Sequence, residues 1–261
     1  MPRLARILIF PVKSLEPASV QSASITRSGG LKGDRAIALF DERGSFVNGK
    51  KQPRIHLLRS SFDALTKTLH LRSADGQQAG SFQIGEQRAL MQTWLTEYFG
   101  FPVEMRDNFT AGFPDDNHAP GPTIISTETF AEVARWFHPI TVDSLRRRFR
   151  ANLELDGVPA FWEDCLYRKA GTAYRFQIGD VVIEGMNPCQ RCVVPPRDPL
   201  TGQGYPAFAK TFAQMREQTL PSWTERSRFN HFYRLAVNTR VPADQAGKTI
   251  HVDDEVRLLD A

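Results

Sequence analysis

The chain has 261 residues, enough to bury a core as one large domain or two small ones without disulfide staples, and its formal net charge is only +4. That small excess, carried by arginines without interleaved stacking aromatics, argues against a nucleic-acid-binding protein. Three cysteines are too few and too unevenly placed for a secreted disulfide framework, so a reducing, cytoplasmic setting is expected.

The first apolar run, Leu4 to Phe10, is interrupted by Arg6 and stopped by Pro11 and Lys13. It has the length of one strand, too short for a signal core or a membrane span. Leu4 to Val12 and Ala36 to Phe40 read as strands, and Asp41-Glu42-Arg43-Gly44 as a hairpin turn. Leu90, Met91, Trp94, Leu95, Tyr98 and Phe99 recur at helical spacing within 86–99, with Gly100 as the stop and a strand expected over Val103 to Arg106. Asn108 to Pro122 is rich in Gly, Pro, Asp and Asn, which makes it the boundary between a first unit, 1–107, and a second, 115–261.

The second unit opens with a helix after Ser126, an N-cap, with Glu128 in the first turn, Phe130, Val133, Ala134 and Phe137 on one face, and Pro139 beyond. Arg148 to Leu155 alternates, so a strand is expected there with Arg148, Arg150, Asn152 and Glu154 on one face. Ala173 to Ile178, a Gly179-Asp180 turn and Val181 to Glu184 form a hairpin that leads into Asn187-Pro188-Cys189-Gln190-Arg191-Cys192. Pro195, Pro196 and Pro199 forbid a regular helix after it. Leu235 to Val237 and Ile250 to Leu259 read as closing strands. Short strands with frequent turns and a few helices imply a β-rich α+β fold built on barrels or sandwiches.

Two of the three cysteines sit in that loop, a soft thiol beside the Arg191 guanidinium. Four readings of Cys189-x-x-Cys192 compete on the residues alone. A structural zinc site lacks a second ligand pair, because no histidine stands at ligand spacing. A thioredoxin-like pair lacks the helix that would follow its first cysteine. A buried apolar pair leaves Arg191 unexplained. The fourth reading is one thiolate ligand to a cofactor-bound metal, with Arg191 and backbone N–H groups on an anionic part of that cofactor. Glu163 and Asp164 are candidate proton sources, although an acidic pair after a proline reads more simply as a solvated turn.

The run MNPCQRCVVPPRDPLTG, from Met186 to Gly202, resembles the signature loop of MOSC-domain proteins. PVKSLEP, GLKGDRAIALFDERGSFVNG and WLTEYFGFPVEM resemble the N-terminal β-barrel subdomain that accompanies it in amidoxime-reducing proteins, so the resemblance runs nearly end to end. It implies an N-terminal β-barrel subdomain packed on a MOSC β-barrel, and a molybdenum cofactor, Mo-molybdopterin, whose metal is ligated by Cys192. It also implies cofactor contacts at Lys13, Ser14, Arg35, Ser126, Thr127, Arg150, Asn152, Gln190 and Arg191.

The activity implied is reduction of N-hydroxylated small molecules with electrons from a separate protein, a ferredoxin, flavodoxin or reductase. The alternative is a sulfur- or cofactor-carrier protein that uses a loop cysteine. Relatives often have hydroxyl residues where Pro195-Pro196 stand, a small Ser at Gln190, and a polar or Tyr side chain at Phe232. Those positions bear on substrate access and on the cofactor's polar contacts.

Overall fold

The computed structural model describes residues 1–259. The first half contains β1 (Arg3–Ile9), β2 (Ala18–Val20), β3 (Ser22–Ser24), β4 (Ile37–Asp41), β5 (Leu58–Asp63), β6 (Thr68–Ser73), β7 (Ala79–Gln83), α1 (Arg88–Phe99) and β8 (Val103–Asp107). β4 pairs antiparallel with β8, and β5, β6 and β7 form an antiparallel meander. Both small sheets bury apolar side chains against α1, whose Met91, Leu95, Tyr98 and Phe99 meet Leu39, Ile55, Leu71 and Met105 in one core. Gly100 ends the helix in the left-handed conformation, φ +78°, with its N–H on the Thr96 carbonyl. Any side chain there would be strained, which is why the stop was readable from sequence.

The second half contains β9 (Ile124–Ser126), α2 (Thr127–Arg135), α3 (Val142–Phe149), β10 (Leu153–Asp156), β11 (Tyr174–Ile178), β12 (Val181–Gln190), α4 (Phe208–Gln218), β13 (Arg234–Arg240), β14 (Thr249–His251) and β15 (Val256–Leu258). Fifteen strands and four α-helices among the described residues make this the β-rich α+β chain that the turn-dense sequence implied. The largest sheet has the order β15-β11-β12-β13-β9-β10-β1-β2, antiparallel throughout except for the parallel pair β9 and β10.

β1 therefore lies inside the sheet of the second half, and β3 pairs with β14. Leu4, Ile7, Ala23, Ile25 and Leu31 pack with Phe176, Ile183 and Val237 in that sheet's core. A third core, rich in aromatics, lies among α2, α3 and α4, where the Phe137 and Phe208 rings stack at 4.3 Å.

The strand expected over Arg148 to Leu155 begins only at Leu153, because Arg148 and Phe149 end a helix. Val142 to Phe149 forms α3, capped by the Thr141 hydroxyl on the Ser144 N–H, with Asp143 in the first turn and Arg146, Arg147 and Arg148 in the last. Acid at the start and base at the end suit the helix dipole. Leu145 and Phe149, four apart, are the buried pair that alternation concealed. Arg150 follows as a left-handed cap at φ +55°, and only Leu153 onward is strand. Arg150 and Asn152 thus do not share a strand face. The solvated turn expected at Glu163 and Asp164 is also corrected: these side chains are 1 % and 2 % exposed.

Candidate functional site

A cavity of about 600 Å³ lies where the two halves meet, lined by residues from both. One wall begins just past β1. There the chain bends through Phe10, whose N–H bonds Asp34 Oδ1 at 2.8 Å and whose carbonyl accepts from the Arg35 N–H at 2.6 Å. The bend presents Lys13 and Ser14, and the loop before β4 presents Arg35. The opposite wall is the end of β12. Against β13 it carries register shifts between Gly185 and Asn187 and between Pro188 and Gln190. Bulges re-aim side chains, and these direct Cys189, Gln190, Arg191 and Cys192 to the cavity.

Lys13, Ser14, Arg35, Arg150, Gln190, Arg191 and Cys192, singled out on separate stretches of sequence, therefore share one hollow. Three of them sit in the left-handed region, Ser14 at φ +75°, Arg35 at +48° and Arg150 at +55°. Non-glycine residues held there cost about 1–3 kcal/mol each and concentrate at functional sites. Here the surrounding hydrogen bonds hold two arginines and a serine in that state.

The cations are unequally satisfied. Lys13 Nζ donates to Asp115 Oδ1 at 2.5 Å and to the Phe113 carbonyl at 2.9 Å. Arg35 pairs with Asp34 and lies 3.7 Å from Asp115 Oδ2. Arg150 has a different environment: its guanidinium stacks 4.2 Å over the Phe10 ring, and its Nη2 is buried with no hydrogen-bond partner among the described residues. Burial, then the neighbouring Arg35 charge, pulls Arg150 down to about 10. Burial likewise lowers Lys13, with Asp115 opposing. Enclosure would raise Asp115, but Arg35 and Lys13 overcome it and hold the carboxylate at about 2. Its side chain projects into the hollow and is 66 % accessible.

Arg191 is committed to the protein. Its Nη1 donates to Cys189 Sγ at 2.9 Å and to the Leu235 carbonyl at 3.2 Å, and Nη2 bonds the Phe149 carbonyl. It ties the cysteine loop to the end of α3. Cys192 is partly exposed, with the Val194 N–H 3.5 Å from its sulfur. Among the described residues no three His, Cys, Asp or Glu side chains gather to hold a metal ion. The hollow offers a thiol and cations, not a full ligand set.

Three expected contacts lie elsewhere. Ser126 is buried at the N-cap of α2, its hydroxyl used by the Thr129 N–H at 3.2 Å and the Thr129 hydroxyl at 2.8 Å. Ser126 and Thr127 do not line the cavity, because this helix start points at buried Glu163 instead. Asn152 stands behind the wall: its Nδ2 donates to the Leu8 carbonyl at 3.0 Å, and its Oδ1 lies 3.4 Å from Arg35 Nη1. It positions Arg35. Glu163 and Asp164 also lie away from the hollow, bound to Thr129 and Arg216. Pro195 lines the cavity, whereas Phe232 does not and stacks on Phe229.

Sequence reasoning missed Asp115, Asp116 and His118, which sit in the segment read as a spacer, and His56, Arg59, Asn187 and Asn238. Polar residues within a Gly/Pro-rich run carry no periodic signal. Only tertiary placement identifies them.

Residues 1–112 match the model of the MOSC N-terminal beta barrel domain, and residues 123–257 match the MOSC domain. The chain belongs to the MOSC family. It is 25 % identical over 253 residues to a molybdenum cofactor sulfurase of Drosophila mojavensis, covering 82 % of this chain but only 30 % of that protein. It is 24 % identical over 242 residues to mitochondrial amidoxime-reducing component 1 of Homo sapiens, and 23 % over 240 residues to mitochondrial amidoxime reducing component 2 of Macaca fascicularis. Those two matches cover 76 % of this chain and 67 % and 68 % of the relatives. The hollow lies between the matched MOSC barrel and MOSC segments, and among the described residues no helix is long and apolar enough to cross a membrane.

Proposed function

We propose that this MOSC protein binds a molybdenum cofactor in the shared cavity and reduces N-hydroxylated compounds with electrons from a separate protein. The observation that carries the reading is Arg150: a buried guanidinium whose Nη2 has no hydrogen-bond partner among the described residues, beside Arg35 and Lys13 in the cavity that also holds Cys192. A buried, unpaired cation is costly and calls for an anion. A soft sulfur donor in the same hollow calls for a soft metal. A metal-bearing organic anion satisfies both, so the residues fit the group.

In this reading Cys192 is the sulfur donor, and Arg150, Arg35 and Lys13 hold the anionic tail. Gln190 and Ser14 line the remaining wall. Arg191 acts indirectly, by fixing the loop. When bound, the cofactor supplies two-electron chemistry at the metal. The overall change is R–NH–OH + 2 e⁻ + 2 H⁺ → R–NH₂ + H₂O. The cationic wall, with its few carboxylates, favours neutral or anionic substrates.

A second reading, a sulfur or cofactor carrier, is supported by the 2.9 Å contact of Arg191 Nη1 with Cys189 Sγ, which holds a second sulfur in the same hollow as Cys192. Elemental analysis of protein from a molybdenum-replete host tests the shared premise. About one molybdenum per chain is expected, and a Cys192→Ser variant that retains it refutes the ligand assignment. Reduced viologen with benzamidoxime separates the two readings. Dye oxidation that survives Cys189→Ser supports the reductase, and its absence in the loaded wild type supports the carrier.

A further inference from the structure

The mouth of the cavity is edged by side chains, Lys51, Leu57, Val193 and Leu200 among them, that do not line the cavity itself. Residues 48–59 of the first half and 193–202 of the second face each other across it. A Cβ built on Gly49 would sit 3.3 Å from Val194 Cγ2, and one on Gly202 would lie 3.5 Å from His56 Cβ. Arg59 stitches the two segments, donating to the carbonyls of His56 at 2.9 Å, Pro199 at 3.3 Å and Leu200. The stitch brings Leu57 and Leu200, both partly open to solvent, to one rim. Val193, the residue after Cys192, is 59 % exposed on the same loop.

Charge on this rim has one sign. Lys50 and Lys51 are exposed, and neither ammonium has a partner among the described residues. The two segments contain a single acid, Asp198, and it is spent: its carboxylate accepts from Arg148 and from the N–H groups of Leu200 and Thr201. An apolar centre flanked by unpaired lysines suits a partner with apolar contact area and an acidic border. Neither segment exposes an aromatic ring on which a base could stack.

We propose that this rim is the docking surface for an acidic electron-carrier protein bearing a flavin or an iron–sulfur centre. The assignment rests on the reductase reading above, because the patch surrounds the opening that leads to Cys192, where electrons must enter. Apolar contact at the centre brings the donor's redox group close to the cavity. The lysines steer its approach, so association is fast at low ionic strength and falls as salt screens them.

The test uses the full chain with two probes, a plant-type ferredoxin and a flavodoxin. Neither Lys51 nor Leu200 lines the cavity, so a Lys51→Glu/Leu200→Ser variant leaves the site intact. Calorimetric titration is expected to show salt-sensitive binding of at least one carrier, weakened about tenfold or more in the variant. Carrier-driven turnover should fall in parallel, while viologen-driven turnover stays within about twofold. Equal carrier affinity in variant and wild type overturns the proposal, as does the absence of binding by both carriers. So does tighter binding of phosphatidylserine vesicles or of single-stranded DNA to this rim. Failure of viologen-driven turnover in the loaded wild type, with carrier binding intact, sinks the reductase reading and leaves the docking surface standing.

Discussion

Arg148 Nη2 pairs with Asp198 Oδ2 at 3.1 Å and so joins the last turn of α3 to the loop that follows Cys192. The same guanidinium donates to the carbonyls of Pro195 at 2.9 Å and Arg197 at 2.7 Å. Its side chain is 3 % exposed. A Pro-rich loop has few N–H groups with which to fix itself, so its carbonyls are held from outside.

Arg148→Met should therefore strand those two carbonyls and the Asp198 carboxylate. The expected loss is ~2–4 kcal/mol of stability, with reduced cofactor retention. Thermal unfolding alongside metal content checks this. A variant with unchanged melting temperature and full metal would show that the loop holds itself.

Glu163 is buried among Thr129, the Ser126 N–H and the charge of Asp164, and burial followed by Asp164 raises it to about 7. An acid whose folded-state pKa lies above its unfolded value stabilises the fold fully below about pH 4.5, and that contribution is lost as pH rises through about 7. Above that, a buried carboxylate is carried at a cost. Glu163→Gln should accordingly be more stable than wild type at pH 8, by on the order of 3 kcal/mol at most, and nearly equal to it at pH 4. Denaturant titrations at the two pH values measure the difference, and a gain of the same size at both would refute the shifted titration.

Asp115 occupies Lys13 and lies near Arg35, the cations assigned to an anionic ligand. It is an internal competitor. Asp115→Asn should tighten binding of inorganic phosphate to cofactor-free protein by about tenfold, since the carboxylate no longer has to be displaced. Because its titration is depressed to about 2, wild type should show the same competition throughout pH 5–8. Calorimetry decides, and weaker phosphate binding in the variant would make Asp115 an organiser of the site.

Gly49 has no left-handed requirement, yet a Cβ there would lie 2.9 Å from His56 Nε2 and 3.3 Å from Val194 Cγ2. Gly49→Ala should push the ring or the cysteine loop aside at a cost of ~1–3 kcal/mol. Gly204→Ala, with nothing within 4 Å, is the neutral control. Equal melting temperatures for the two variants would show that the His56 ring yields freely.

Local signals carried the elements that have them. The Gly179-Asp180 turn and its flanking apolar residues gave the hairpin of β11 and β12, and through it the position of the cysteine loop at a strand end. Ser126 and Gly100 marked helix ends that the backbone honours. Arg148 to Leu155 misled because four charged or polar residues alternate with four apolar ones across a helix end, a left-handed cap and a strand start. Period two arose there by accident of three conformations. In the site, Cys192 and the arginines were legible by residue type. The opposing acids were not, because Asn108 to Pro122 looks like a spacer until the cavity gives it a wall to form.

β1 completes the second sheet, yet its neighbour β10 begins about a hundred and fifty residues later. During synthesis, Arg3 to Ile9 has only the short β2, along Ile7 to Ile9, until β10 is made. The first half alone, cut at the apparent spacer, would keep that apolar strand with β2 but without β10, and the second half alone would present an open edge at Leu153 to Asp156. Separately expressed halves should therefore aggregate, whereas co-expression should let them complement each other into one particle.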